Sequence, residues 1–273
     1  MFVLAVLVFA AVFAPLLAPR DPTMINLRGR TAPPAWDAQW YEDHPNVNFR
    51  YPLGADHVGR DVLSRMLHGA RVSLMVAMVA LVAGTLSGTA LGLLAGYYGG
   101  LVDELITRAV DVWNALPFLL IAILAAMTLE QSARVVMALL AFAAWSSGVR
   151  NVRAEVLGLK TRDYVLQARI CGASDARILF RHLLPGVINT VVVIASLRVG
   201  GLILAEAGLS FLGAGIPPPA PTWGNMISEG REYLNTAWWI AFFPGLAIFL
   251  VVMSFNFVGD WLRDRWDPRL RQV

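Results

Sequence analysis

Two ionisable residues stand inside an apolar run in the last third of the chain. Arg198 and Glu206 lie in S-L-R-V-G-G-L-I-L-A-E-A-G-L-S-F-L-G, a stretch apolar enough to cross a bilayer. A charge inside a bilayer is costly unless it faces a cavity or a partner. Eight residues separate the pair, which places them about 80° apart around a helix. They therefore line a substrate path or form a structural ion pair within or between subunits.

A base-rich segment, Asp163 to Pro185, is the second candidate for chemistry. Its pattern predicts two short helices that meet at Gly172, with Ser174 and Asp175 capping the second helix. Small residues form a shallow surface and arginines supply charge: Ala168, Gly172, Ala173 and Ala176, with Arg169, Arg177 and Arg181. We predict that another protein docks here. A helix pair lying on the anionic inner leaflet is the alternative, but it does not explain the glycine.

Motifs for catalysis are absent from the sequence. It lacks G-x-x-x-x-G-K-[ST], and therefore an ATP site of its own, and it lacks H-E-x-x-H, G-x-S-x-G and C-x-x-C. His57, Asp61 and His68 can share a helix side, but Arg60 and Arg65 in the same stretch repel a cation. We predict no metal site, no cofactor and no catalytic residue.

The composition shows which elements must position these residues. The chain has 273 residues, of which 57% are hydrophobic and 15% charged, whereas charge in soluble domains is near 25%. Its one cysteine, Cys171, excludes a disulfide within the chain. The apolar residues cluster in runs that can each cross a membrane. We predict an all-α polytopic membrane protein with spans near 2–18, 72–96, 114–129, 134–149, 187–212 and 236–258.

The distribution of bases predicts the topology. Bases crowd into residues 150–181 and into the tail at Arg263, Arg265, Arg269 and Arg271, so both segments and both termini should be cytoplasmic. Segments 97–113 and 150–186 are then inside, while 19–70, 130–133 and 213–235 are outside. The first external loop carries six arginines. Long loops are translocated across the membrane largely regardless of charge, so the assignment is kept. The first run lacks a charged n-region and a cleavage site, which favours a transmembrane helix over a signal peptide.

Two further segments have shapes that suggest contacts. Gly84, Gly88, Gly92 and Gly96 recur every fourth residue on one helix face, which admits another helix of this chain or of a partner subunit. In the outer segment 213–235, four prolines favour extended structure, and three tryptophans can anchor the flanks at the membrane interface. These are Pro217, Pro218, Pro219 and Pro221, and Trp223, Trp238 and Trp239. A plain rigid connector is the alternative.

The base-rich segment resembles the EAA loop of ABC importer permeases. That pattern is E-A-A, three residues, Gly, nine residues, an apolar residue, any residue, then Leu-Pro. Leu166, Gln167 and Ala168 stand at the E-A-A places, Gly172 at the glycine, His182 at the apolar place, and Leu184 and Pro185 at the end. Leu166 replaces the glutamate and Gln167 the first alanine, which affects a charged contact at 166 rather than the docking.

Other segments are similar to the C-type permeases of dipeptide, oligopeptide and nickel importers. They are Leu53–Leu74, Gly96–Arg108, Glu206–Arg231 and Gly259–Arg271, in the order of that family. The resemblance implies a type I importer permease with six transmembrane helices in a prokaryotic inner membrane, with membrane lipid around it. It divides the chain into a first helix (1–18), an external loop (19–70) and a permease domain (71–273) with a cytoplasmic coupling loop (150–186).

The resemblance also implies partners and site residues. A second related permease would complete the path, two cytoplasmic ATPases would dock beneath, and an extracytoplasmic binding protein would deliver peptides or related solutes such as nickel chelates. No nucleic acid is expected. The ATPase-coupling residues are Leu166, Gln167, Ala168, Arg169, Gly172, Ala173, Ser174, Asp175, Ala176, His182, Leu184 and Pro185. By their residue types rather than by the resemblance, Arg198 and Glu206 would line the path, and an outer gate or a contact with the binding protein would be formed by Pro217, Pro218, Pro219 and Trp223.

Two other function classes compete with this interpretation. An ion-gradient-driven secondary transporter would use Arg198 and Glu206 as coupling groups, but such carriers often contain inverted repeats, and the sequence shows none. An intramembrane enzyme would need a convergent nucleophile, base or metal site within the spans, and none is visible.

Overall fold

The computed structural model describes residues 2–266, and every regular element in that part of the chain is a helix. The all-α prediction is therefore confirmed. The helices are α1 (Phe2–Val12), α2 (Ala14–Leu17), α3 (Ala38–Asp43), α4 (Val62–Tyr98), α5 (Gly100–Ala115), α6 (Phe118–Thr128), α7 (Ala133–Leu159), α8 (Asp163–Ile170), α9 (Asp175–Arg177), α10 (Leu184–Phe211), α11 (Trp223–Gly230) and α12 (Trp239–Trp266). A π-helical turn, Ile178–Leu183, joins α9 to α10.

Four helical segments within residues 2–266 are long and apolar enough to cross a membrane. They are α4, α7, Asp175–Phe211 and Trp239–Arg265. The pair α5 and α6 makes a fifth if it is one broken span. Helix α1 is apolar but has only 11 residues, because the chain turns at Phe13 before Pro15 in the first turn of α2. The predicted count of six spans therefore stays a prediction.

Helix α4 begins at Val62, well before the predicted start at 72. The cause is Asp61, whose Oδ2 accepts hydrogen bonds from the amide of Ser64 at 2.8 Å and from its hydroxyl at 2.6 Å. A carboxylate in this position satisfies free amides of the first turn and interacts favourably with the helix dipole. The end of the predicted external loop is thus the first part of a long helix.

The prediction of a loop at residues 97–113 is wrong, because α5 occupies most of that segment. Its cytoplasmic side stays a prediction. Charged residues interrupt the apolar residues of α5, so a search for apolar runs misses this helix. They are Asp103, Glu104, Arg108 and Asp111. The break after α5 lies at Pro117, which has no amide hydrogen and disfavours helix in the residue before it. The axes of α5 and α6 differ in direction by 82°.

The loop 150–186 is more helical than predicted. Helix α7 continues to Leu159 instead of ending at 149. The second helix after Gly172 is not short, because Asp175–Phe211 is one continuous helical segment. Pro185 does not interrupt it: the preceding π-helical turn, in which the Leu184 amide donates to the Leu179 carbonyl, accommodates a residue that cannot donate.

Contacts divide the chain into two compact units. One contains the chain up to Ala77 with Ala122–Val136 and Ile203–Ser254, and the other contains Met78–Ile121, Met137–Leu202 and the chain from Phe255. In the second unit the glycine face of α4 packs on α7. A Cβ on Gly88 would lie 2.5 Å from the Trp145 carbonyl oxygen and 3.1 Å from Gly148 Cα. Packing within the chain, one of the two predicted uses of the glycines, is confirmed.

Candidate functional site

The segment around Gly172 forms a helix end followed at once by a helix start. Gly172 has φ of +76°, a conformation that glycine adopts without a steric penalty. The Gly172 amide donates to the Arg169 carbonyl and the Ala173 amide to the Ala168 carbonyl, each at 3.0 Å, which is the Schellman arrangement that closes a helix. Ser174 then caps α9 by accepting from the Arg177 amide at 3.4 Å. The predicted break and the Ser174 cap are confirmed.

Residues 164–177 expose most of their side chains, and we call this region the Gly172 surface. Leu166, Gln167, Arg169, Ser174 and Ala176 are exposed, and Ile170 is 85% exposed. Ala168 and Ala173 are partly buried. Cys171, the only cysteine of the chain, is exposed beside the glycine. Further along, His182 and Leu184 are partly buried and Pro185 is exposed. The structure thus leaves open to contact a surface of small, apolar and basic residues.

Buried contacts hold the Gly172 surface to the end of α4. Val165 of α8 joins an apolar cluster with Leu93, Tyr97, Val152, Val156, Ile178, Leu179, Leu183 and Val187. The Tyr97 hydroxyl donates to Asp175 at 2.7 Å, and the Arg169 guanidinium lies 5.5 Å from the centroid of the Tyr97 ring. Tyr97 therefore contacts both sides of the helix break. Tyr97 belongs to the family-like segment Gly96–Arg108, but nothing in that pattern indicated a contact with the helix break.

Part of the base-rich stretch is paired within helices rather than free in a loop. Arg150 binds Asp111 at 2.8 Å, and Arg153 makes a two-point contact with Asp103. Lys160 donates to the Gly96 carbonyl at 2.8 Å. These contacts join α7 to α5 and to the end of α4.

Arg198 lies in the middle of α10 beside a small, mostly apolar cavity. The cavity measures about 10 Å³, and its lining includes Arg198, Thr85, Thr89 and Ser147. The Oγ1 atom of Thr89 is buried there without a hydrogen-bond partner. The Arg198 side chain is exposed and makes no hydrogen bond or ion pair with any other residue in the range 2–266.

Glu206 is fully buried and bonded to hydroxyl groups. Its Oε2 accepts from Ser73 at 3.1 Å and its Oε1 from Ser210 at 2.9 Å. The Ser73 hydroxyl in turn accepts from the amide of Trp223 at 3.4 Å. Glu206 therefore connects α4, α10 and the start of α11 as a polar core residue. This geometry gives no support to an ion pair as the reason for its place in the span.

Segment 213–235 is less extended than predicted, because residues 223–230 form α11. Thr222 caps this helix by accepting from the Asn225 amide at 3.1 Å. Trp223 is 1% exposed and Trp239 7% exposed. Each donates its ring N–H to a backbone carbonyl, of Met66 at 3.1 Å and of Ala55 at 3.0 Å. The predicted interfacial anchoring is wrong for these two, because their rings fill the protein interior. Trp238 is exposed, as are Pro218 and Pro219, while Pro217 is partly buried.

An ion cluster that the sequence did not indicate lies at the start of α4. Asp56, Arg60, Arg65 and Glu229 form it, and we call it the Arg65 cluster. Arg65 Nη1 binds Asp56 at 2.5 Å and Glu229 at 2.6 Å, and Arg60 binds the same two carboxylates at 2.5 and 2.7 Å. Burial raises the pKa of Asp56, but Arg65, Arg60 and two backbone amides outweigh it, so the pKa lies below the usual aspartate value.

The grouping of His57, Asp61 and His68 that the sequence allowed is not found among the described residues. Asp61 caps α4, and His68 Nδ1 lies 3.0 Å from the Ser64 carbonyl. His57 instead lies near Asp56 and Glu229, with possible ligand atoms within 4.8 Å of one another. Both carboxylates already bind guanidinium groups, so this arrangement suits an ion-pair network better than a cation.

Comparisons with known proteins agree on one family. Residues 88–272 match the binding-protein-dependent transport system inner membrane component family. The chain is 39% identical to the dipeptide transport system permease protein of Haemophilus influenzae, over 96% of this chain and 86% of that protein. It is 43% identical to the glutathione transport system permease protein of Pectobacterium atrosepticum, over 86% and 80%. A di/tripeptide transport system permease protein of Pseudomonas aeruginosa is 38% identical, over 98% and 86%.

Solved structures show the same fold at low sequence identity. An inward-facing structure of the MetNI methionine ABC transporter superposes with a TM-score of 0.59 at 18% identity, covering 73% of this chain and 95% of that chain. The crystal structure of an amino acid ABC transporter with histidines gives a TM-score of 0.56 at 14% identity, covering 74% and 94%.

Proposed function

The chain belongs to the binding-protein-dependent transport system inner membrane components, and from that premise we propose that it pairs with a second, related permease to form an import path for small peptides. It is a permease component of an ABC importer, a class in which separate subunits hydrolyse ATP. Relatives that match most of the chain are named for dipeptide, di/tripeptide and glutathione transport. This supports peptides rather than nickel chelates as cargo, and it does not favour an ion-gradient-driven carrier.

The Gly172 surface is proposed to dock a cytoplasmic ATPase. The observation that carries this step is an exposed helix break at Gly172. It is held to the end of α4 by the hydrogen bond of Tyr97 and by a buried apolar cluster. Because Asp175–Phe211 is one continuous helical segment, a displacement of α9 passes directly into the membrane span. ATPase closure would therefore move α10 as a lever. Coupling of this kind is reciprocal, so the state of the path also biases ATPase closure.

The remaining assignments concern topology. We propose a first transmembrane helix at 1–18, an external segment at 19–70 that ends in the first turns of α4, and a permease domain from 71 to the C-terminus. Residues 150–186 are proposed to face the cytoplasm. A binding protein would approach near Pro218 and Pro219, whereas Trp223 would shape that surface from within. Both termini are proposed to be cytoplasmic, and Val273 and the final arginines lie outside the described residues.

Cysteine labelling of intact cells tests the topology. In a variant in which Cys171 is replaced, single cysteines at Trp36 and Pro218 should react with an impermeant thiol reagent, whereas one at Asn151 should react only after lysis. Labelling of a cysteine at Asn151 in intact cells would show that the proposed topology is wrong. The Gly172 surface could then not dock a cytoplasmic ATPase.

Reconstitution of the complete complex in proteoliposomes tests the coupling. Gly172→Asp adds charge and a Cβ at a positive φ, so it should impair ATPase docking or separate hydrolysis from uptake. Gly158→Asp is the matched control, because Gly158 is exposed outside the Gly172 surface and a Cβ there meets no atom within 4 Å. Substrate-stimulated ATP hydrolysis and peptide uptake are measured together. If Gly172→Asp leaves both at the unmodified level, the Gly172 surface is not the coupling element.

A further inference from the structure

Arg198 is a cation inside a membrane span without a partner in the described chain. Charged residues elsewhere in the described chain have partners: Arg65 binds Asp56 and Glu229, and Glu206 binds two hydroxyl groups. Arg198 makes no hydrogen bond or ion pair within residues 2–266. A guanidinium group is costly at membrane depth without an anion or water. The missing partner must therefore come from outside this part of the chain.

The small cavity beside Arg198 has a mostly apolar lining that also includes hydroxyl groups. Thr89 is 8% exposed, and its Oγ1 has no partner although it lines the same cavity as Arg198. Thr85, one helical turn earlier on α4, lines that cavity too. A volume of about 10 Å³ has room for a single water molecule. The Arg198 side chain itself is exposed and therefore accessible to another group.

We propose that Arg198 binds the carboxylate group of the peptide cargo as it crosses the membrane. This deepens the proposed function and rests on it. The planar guanidinium group matches a carboxylate with two parallel hydrogen bonds, and such charge-assisted bonds are strong where water is scarce. Dipeptides, tripeptides and glutathione, named for the relatives, share a free carboxylate and differ in their side chains. An arginine that reads the shared group accepts the whole class without selecting among its members.

The test compares a dipeptide with its C-terminal amide, which lacks the negative charge. The complete complex is reconstituted with a binding protein that is loaded to equal measured occupancy with each probe. Arg198→Gln should slow uptake of the dipeptide about ten- to a hundredfold, the effect of losing hydrogen bonds between charged groups, and should leave uptake of the amide unchanged. Arg198→Lys keeps the charge but not the two-point geometry, so its rate of dipeptide uptake should lie between those of the unmodified complex and of Arg198→Gln. Ser87→Ala, on an exposed part of α4, should change neither rate.

The alternative partner is a carboxylate of the second permease. In that case Arg198→Gln would lower the yield of assembled complex and slow both probes equally, because the other charge would be left unpaired. If Arg198→Gln slows both probes equally, or changes neither, Arg198 does not bind the cargo. The proposed function still stands in that case, provided that the unmodified complex takes up peptide in an ATP-dependent manner. If the unmodified complex takes up neither probe in an ATP-dependent manner, the proposed function itself fails.

Discussion

The Gly172 surface and the Arg65 cluster use arginine in opposite ways. On the Gly172 surface, Arg169 and Arg177 are exposed. In the Arg65 cluster, Arg60 and Arg65 are buried, and their guanidinium groups bind two carboxylates of this chain. A charge paired inside its own chain stabilises the fold, whereas a charge left open is available to another molecule. The same residue type therefore has a structural task in one region and a recognition task in the other.

Loss of Arg65 should produce the largest effect. Arg65→Ala leaves Asp56 and Glu229 short of a partner in a buried site, which should cost about 3–5 kcal/mol of stability. Arg71→Ala is the control, since Arg71 is exposed on the same helix. The measurement is the thermal unfolding midpoint of the purified complex. Equal midpoints for the two variants would show that the cluster is not structural and would remove the contrast between the regions.

Charge reversal on the Gly172 surface should affect binding of the ATPase rather than stability, the opposite of the Arg65 variant. Arg177→Glu should change stability by less than about 0.5 kcal/mol, as expected for an exposed position. It should nevertheless weaken ATPase association several-fold in a salt-dependent manner, because exposed charges act through a screened field. Titration of the ATPase onto the permease at two salt concentrations measures this. A lowered unfolding midpoint with unchanged ATPase association would show that Arg177 stabilises the fold and does not bind the ATPase.

Removal of one hydroxyl tests how firmly the Gly172 surface is held. Tyr97→Phe deletes the hydrogen bond to Asp175 but keeps the ring against Arg169, which should cost about 1 kcal/mol. We expect more ATP hydrolysed per peptide imported, since the helix break is then less firmly tied to α4. Tyr98→Phe is the matched control, because the Tyr98 hydroxyl makes no hydrogen bond within the described residues. Identical ratios in both variants would exclude Tyr97 as a positioning residue.

Restoring the glutamate of the EAA pattern should have the smallest effect. Leu166 is exposed on α8, so Leu166→Glu meets no packing constraint in this chain. Uptake and ATP hydrolysis should both stay near the unmodified level. A strong loss of coupling would show that the ATPase groove is apolar at this position and that Leu166 is part of the contact.

The sequence predicted those features that depend on neighbouring residues. Gly172 and Ser174 mark the helix break by local chemistry, and the repeated glycines of α4 mark a packed face. It missed α5 because Asp103 and Asp111 divide an amphipathic helix into runs too short to be recognised as a span. It missed the Arg65 cluster because Arg65 and Glu229 are 164 residues apart in the chain. No spacing rule connects positions that only the tertiary fold brings together.

Cys171 has a practical consequence for experiments on the unmodified chain. It is the sole thiol, it is exposed, and it adjoins the left-handed glycine. A fluorophore attached there would sit inside the proposed contact without any engineered substitution. Quenching on addition of the ATPase, or protection of the thiol from alkylation, would report occupancy of the surface through the transport cycle. The natural sequence thus carries its own site-specific reporter.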